Sequence, residues 1–207
     1  MQHVVLHPTY FPNIAHFVAF VKADKVIFEV CDNYQKQTYR NRAYVYGANG
    51  KLLMNIPVSY TQKNRQLYKD VKISYAEDWQ AQHWKTLQSA YRTSPFFEFY
   101  QDAFKPLFEK RHTSLLEYNF QCLDAVLDCL QMELNFEKTE TFEKTFTNDS
   151  DLRTLVNARK EPVFQFASYF QVFADKHGFI ANLSILDLLF NEGPNAIAYL
   201  KSQSIAL

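Results

Sequence analysis

Glycine is scarce, with four residues in 207. Loops that cradle phosphates on bare backbone need it, and neither G-x-G-x-x-G nor G-x-x-x-x-G-K followed by Ser or Thr occurs. Neither sign of charge is in excess: 22 Lys and Arg balance 22 Asp and Glu. A binder of duplex nucleic acid carries a basic surplus, so no nucleic-acid partner is expected. The three cysteines, Cys31, Cys122 and Cys129, are too few and too scattered for a disulfide framework. No stretch approaches the roughly 20 apolar residues that span a bilayer. The first residues lack the basic and apolar regions of a leader. A cytoplasmic protein with no membrane span is expected. No spacing of His, Cys, Asp or Glu reads as a metal site, and no cofactor motif is present, so neither group is expected.

Aromatics are abundant, 19 Phe and 13 Tyr in a chain that is 47% hydrophobic. That is enough apolar material for a sizeable core, and one domain over residues 1–207 is expected. Residues 3–7 read as a short strand ending at His7-Pro8. Asn13 can cap a helix to about Lys22, and Lys25–Val30 reads as a second strand. Strand, helix and strand at this spacing predict a βαβ unit with a parallel pair. Tyr39–Gly47 and Lys51–Tyr60 flank Ala48-Asn49-Gly50, a hairpin signal. Lys69–Tyr75 reads as another strand, and Thr61–Tyr68 as a mobile polar loop.

The middle of the chain reads as helical. Trp79, His83, Leu87 and Tyr91 form one stripe. Ser94-Pro95 predicts a helix start, with Pro106 breaking or kinking that helix. Ser114-x-x-Glu117 is a capping box before a helix with Leu116, Phe120, Leu123, Leu127 and Leu130 inward. Ser184-x-x-Asp187 is another, opening a central helix that Gly193-Pro194 stops, before a short terminal helix. Residues 135–162 are polar and read as a surface insert with one edge strand and a loop. The expected fold is α/β: a small mixed sheet from the N-terminal third, βαβ plus hairpin, covered by helices from the middle and C-terminus.

One stretch points to binding. Asp32-Asn33-Tyr34-Gln35-Lys36-Gln37-Thr38-Tyr39-Arg40-Asn41-Arg42 is polar at every position and follows a strand. Its tyrosines, amides and cations suit a planar, anionic or polyhydroxyl ligand. Ligands of parallel α/β sheets bind beyond the carboxyl ends of the strands, which puts His7 at the same edge as this loop. Arg40 and Arg42 alternate, so both guanidiniums could face one way and grip an anion, with Lys36 as a weaker member. Asp175 and His177 form an acid–histidine pair able to handle a proton. His16 reads as helix surface, His83 as a satisfied, partly buried histidine, and His112 as a charge near a helix end. Asn13-Ile14-Ala15-His16 lacks the first His and the Gly of histidine-motif nucleotidyltransferases.

His7-Pro8-Thr9-Tyr10-Phe11-Pro12 and Asn33–Arg42 together resemble the WbqC-like family. Ile56-Pro57-Val58, Ser89-Ala90-Tyr91, Ser94–Tyr100 and Asn182–Gly193 extend the resemblance in the same order. Position 7 departs from it, with His where many members carry Gln. The resemblance implies a role in surface-polysaccharide or O-antigen synthesis. It also implies a transferase moving an acyl or aminoacyl group, such as glycine, onto an activated sugar. In this reading Arg40 and Arg42 hold the anionic group of a small-molecule substrate such as a sugar nucleotide. Tyr34, Gln35 and Asn41 read hydroxyls or amides, Tyr10 lines the site, and His7 or the Asp175–His177 pair moves the proton. Arg40→Ala is expected to weaken binding without disturbing the fold. The other reading is a non-catalytic binding or scaffold protein. Tyr10, Phe11, Phe96 and Phe99 separate the two: a deep pocket favours the enzyme, a flat exposed patch the scaffold.

Overall fold

The structure is a computed structural model that describes residues 3–61, 65–146 and 149–205. The chain runs β1 (His3–Leu6), α1 (Ile14–Lys22) and β2 (Lys25–Phe28). Asn13 caps α1, its side chain accepting from the His16 amide. Strands β1 and β2 pair in parallel with Val4 opposite Val26 and Leu6 opposite Phe28. The hairpin follows, β3 (Arg42–Gly47) and β4 (Gly50–Asn55), around a turn that places Gly50 at φ +99°. A second antiparallel pair joins β5 (Val58–Ser59) to β6 (Lys72–Ile73). Between them Tyr68–Asp70 form a 3-10 turn where a continuous strand was expected.

The polar segment contributes more than one edge. Strand β7 (Phe136–Lys138) pairs with β2 and β8 (Ser150–Asp151) with β1, both in parallel. The main sheet therefore has the order β7-β2-β1-β8, and its two outer strands come from residues 136–151. In β1 and β2 every residue after the first is buried, as a sheet covered on both faces requires.

Helices α2 (Trp79–Tyr91), α3 (Phe97–Glu109) and α4 (Leu115–Leu130) follow the hairpins. α4 buries Leu116, Phe120, Leu123, Leu127 and Leu130. Its Phe120 ring meets Phe28 and Phe136, tying the helix to two strands. The expected start of α3 at Ser94-Pro95 and a break at Pro106 are both overturned. Phe96, not Ser94, precedes its first turn; the Ser94 hydroxyl instead donates to Tyr91 O and closes α2. Pro106 lies within α3, which continues to Glu109. Pro106 is exposed, so the missing hydrogen bond is left to solvent in the last turn.

After a one-turn helix α5 (Ala174–His177) comes α6 (Ile185–Glu192), buried from Ile185 to Asn191, and then α7 (Ala196–Ser202). Ser184 caps α6, but Asp187 does not complete a capping box. Its carboxylate turns inward and accepts from Tyr91, Tyr169 and Gln171. His16 is fully buried, not on a helix surface, because α1 is enclosed from Ile14 to Phe20. Part of the expected loop at 61–68, residues 62–64, lies outside the described residues.

Gly193 ends α6 at φ +52°, and a Cβ there would stand 2.6 Å from the Phe96 ring. Gly193→Ala is therefore expected to lose about 2 kcal/mol or more from backbone strain and overpacking together. Gly50→Ala, strained in backbone but facing open space, should lose about 1 kcal/mol. Urea unfolding of the two variants checks the ranking, and equal losses would remove the Phe96 contact from the account.

Candidate functional site at the carboxyl edge of the sheet

Each strand of the main sheet delivers a polar side chain just past its last residue. His7 follows β1, Glu29 follows β2, Thr139 follows β7, and Arg153 lies two residues beyond β8. Arg40 reaches this edge from the polar loop and is completely buried. Its Nη2 donates to Asp32 Oδ2 at 2.9 Å and to His7 Nε2 at 3.0 Å. Its guanidinium also lies 5.3 Å from the centre of the Tyr68 ring. The backbone carbonyl of Arg40 accepts from Asn119 of α4, and the Tyr68 hydroxyl donates to Pro8 O.

This geometry sets the state of His7. A guanidinium only donates, so His7 Nε2 accepts and the ring hydrogen sits on Nδ1, 3.2 Å from Glu29 O. Burial, then the Arg40 charge, holds the imidazole well below its ordinary pKa. Asp32 Oδ2 lies 3.4 Å from the same Nε2. Glu29 is wholly buried; its Oε1 accepts from the Cys31 amide at 2.7 Å and the Thr139 hydroxyl at 3.0 Å. Arg153 Nη1 stands 3.8 Å from Glu29 Oε2. Arg153 also grips Asp151 through Nε and Nη2 and holds that carboxyl below its usual range. Thr9 Oγ1, His16 Nε2, Glu29 Oε2, and Arg40 Nε and Nη1 are buried without a hydrogen-bond partner among the described residues. A buried network so short of partners is not built for stability alone.

Outside the network lies an open groove. One chamber, about 510 Å³, is lined by Asp32, Tyr34, Gln35, Lys36, Tyr60 and Arg65, among others. A second, about 240 Å³, shares Tyr34, Lys36 and Tyr60 and adds Asn41, Arg42 and Asn55. The Tyr34 and Tyr60 rings are 5.2 Å apart, and Lys36 Nζ lies 4.9 Å over Tyr60. Burial pushes the Tyr34 hydroxyl up to about 12, so it is a neutral donor or acceptor near neutral pH. Asp32 belongs to both settings: it lines the groove and binds Arg40.

The structure brings His7, Arg40, Tyr34, Gln35, Lys36, Asn41 and Arg42 to one edge. Arg40 and Arg42 do not share a strand face, because β3 begins only at Arg42. Asn41 is largely a brace, its Nδ2 donating to Ile56 O. Tyr10 is in the core, its hydroxyl 3.0 Å from His83 Nδ1. His177 and Asp175 lie on α5; His177 Nε2 meets Ala48 O at the hairpin turn and its ring packs on Tyr46. None of the contacts of that pair reaches the His7–Arg40 network. Phe11 is buried with Tyr10, Phe96 is half-buried and Phe99 is exposed, so the four aromatics form neither one pocket nor one patch. His112 is partly buried, and burial lowers its pKa, so it is not the helix-end charge that was expected. Full burial of Arg40 also reverses the expectation for Arg40→Ala. Removing the guanidinium strands Asp32 and leaves a cavity, so that variant loses stability. Asp32, Glu29, Tyr68 and Arg153 were missed as site residues; only Asp32 carried a local signal, as the first polar residue after β2.

A parallel sheet with a charged network at its carboxyl edge, beneath an open polar groove, defines an α/β protein whose candidate site lies where parallel sheets carry theirs. The chain belongs to the WbqC-like protein family, which matches residues 7–162. A Mycobacterium tuberculosis protein named only as "Uncharacterized protein Rv1507c" is 25% identical over 95% of this chain and 96% of its own length. No solved structure matches the chain. No helix among the described residues is long and apolar enough to cross a membrane.

The buried histidines give the site a pH signature. Burial brings His16 down to about 3 and His83 to about 4, and His7 is lowered as well. Below about 6.5 the unfolded chain binds protons at these positions that the folded chain does not, so stability falls with pH. Asp187 opposes this: burial raises it to about 6, so the folded state gains a proton first as pH falls. His16 and His83 against Asp187 leave a net loss of roughly 1.4 kcal/mol per pH unit between pH 6 and about 4, which the lowered His7 steepens. Urea unfolding at steps from pH 7 to 4 should show this slope, shallower in His16→Asn. A flat profile in that window would mean that these histidines are charged when folded.

Proposed function

We propose that the chain is a transferase that binds an activated sugar in the groove and moves an acyl or aminoacyl group onto it. The observation that carries this reading is the position of Asp32. It lines a groove of tyrosines, amides and cations and is held from behind by the buried Arg40 and neutral His7. Tyr34, Gln35 and Lys36 would meet hydroxyls and anionic groups of the sugar substrate. A hydroxyl or amine of the sugar attacks the carbonyl carbon of the acyl donor while Asp32 Oδ2 receives its proton, and His7 Nε2 stands next in line. The bond from the acyl carbon to its leaving group then breaks, and the same proton goes to the leaving group. Acyl or aminoacyl transfer, with glycine as one group, and a place in surface-polysaccharide or O-antigen synthesis rest on the family resemblance.

Thermal melting against a panel of sugar nucleotides, acyl thioesters and amino acids tests this reading. A sugar nucleotide at a hundred times its Kd should stabilise the fold by about 2.7 kcal/mol. The shift should shrink strongly in Lys36→Ala, whose exposed side chain has no part in the core. A protein that no sugar nucleotide stabilises would be a partner-binding protein instead.

A further inference from the structure

The two chambers of the groove are not equivalent. The larger contains Asp32, whose carboxylate repels an anion and accepts hydroxyl hydrogens. Asn33 and Gln35 sit beside it, both amides suited to polyhydroxyl groups. Lys36 and Arg65 are its cations. The smaller chamber has no carboxylate: its lining is Tyr34, Lys36, Gln37, Asn41, Arg42, Asn55, Ile56, Pro57, Val58 and Tyr60. Arg42 Nε is buried there without a hydrogen-bond partner among the described residues, a donor in need of an acceptor. Lys36 belongs to both chambers, at their junction over the Tyr60 ring. Asn41, only 6% exposed, borders the smaller chamber, its Nδ2 bonded to Ile56 O.

We propose that the groove has a fixed polarity. The phosphate-bearing end of the substrate lies in the smaller chamber against Arg42 and Lys36, and the hydroxyl-bearing end lies in the larger chamber against Asp32. This rests on the sugar-substrate reading above and adds the direction in which the substrate lies. Arg42 lines that chamber, and a planar guanidinium takes phosphate oxygens with a geometry that an ammonium cannot match. The polarity sets the sugar beside Asp32 and leaves Arg42 as the residue that selects for an anionic carrier on it. Uncharged sugars would lose that contact and bind weakly.

The test is resonance mapping on isotope-labelled full-length chain, titrated with inorganic pyrophosphate and separately with a hexose 1-phosphate. Pyrophosphate is expected to perturb the Arg42 Nε–H signal and the amides of Asn41 and Asn55 most. The hexose 1-phosphate should add perturbations at Asn33 and Gln35. In Arg42→Gln the Kd for both should rise about tenfold or more, with the melting temperature of the free protein nearly unchanged. Lys36→Met provides a second variant should Arg42→Gln unfold. Pyrophosphate centred on Asn33 and Arg65, with the hexose at Asn41 and Asn55, would reverse the polarity and leave the sugar-substrate reading standing. Binding of a sugar nucleotide that Arg42→Gln and Lys36→Met leave unaffected would also overturn the polarity alone. Failure of pyrophosphate, hexose phosphate and sugar nucleotides alike would overturn both.

Discussion

The charge of Arg40 is the constraint around which the carboxyl edge is organised. A guanidinium with no exposed surface is tolerated only when its surroundings supply an opposite charge, acceptors and polarisable groups. Those surroundings are gathered from distant parts of the chain. Asp32 comes from the end of β2, His7 from the end of β1, and Tyr68 from the 3-10 turn before β6. Asn119 of α4 holds the carbonyl of Arg40 itself. Placing this one side chain fixes the polar loop against the sheet, and with it the inner wall of the groove. Arg153 and Glu29 form a second opposite-charge pair at the same edge, bringing β8 into the arrangement. Buried ion pairs rarely add stability over well-packed apolar residues. The Arg40–Asp32 pair and the longer Arg153–Glu29 pair, with buried donors and acceptors left over among the described residues, make this edge the candidate site.

Burial lowers the pKa of His7, and the same Arg40 charge lowers it further. The one lone pair of His7 points at a cation, and a proton there would face Arg40 at 3.0 Å. The imidazole can take a proton only if it turns that contact over to Asp32 Oδ2, 3.4 Å away. Burial and then the Arg40 charge set the proton affinity at His7, and Asp32, which itself borders the groove, stands beside the same nitrogen.

Local chemistry made the first half of this fold readable. Asn13 caps a helix between two apolar runs, and Asn49-Gly50 lies at a hairpin turn; each signal sits within a few residues of the structure it specifies. The outer strands β7 and β8 were not readable in the same way. They are three and two residues long, too short for any alternation to register, and their pairing depends on partners more than a hundred residues away. Asp187 has the spacing of a capping box, yet three partners from elsewhere, Tyr91, Tyr169 and Gln171, offer its carboxylate more than the helix terminus does. Arg40 and Arg42 looked equivalent because strand alternation was assumed to cover both. The strand starts at Arg42, so one arginine turned into the protein and the other faced the groove. The polar run was legible as a groove wall, because a polar group at every position, amides, phenols and cations among them, sets it apart from a plain loop.

The division of labour between these two arginines follows from where solvent ends. Arg40 is paired before any ligand arrives, so its charge is largely spent on Asp32 and contributes to shape and to the proton affinity of His7. Arg42 lines the groove and keeps a buried nitrogen without a hydrogen-bond partner among the described residues. The two differ in exposure: Arg40 has no accessible surface, whereas Arg42 is only part-buried and borders the groove. Two cations two residues apart in sequence thus stand in different surroundings, and Asp32 joins them, since it holds the first arginine and forms the wall of the groove that the second one lines.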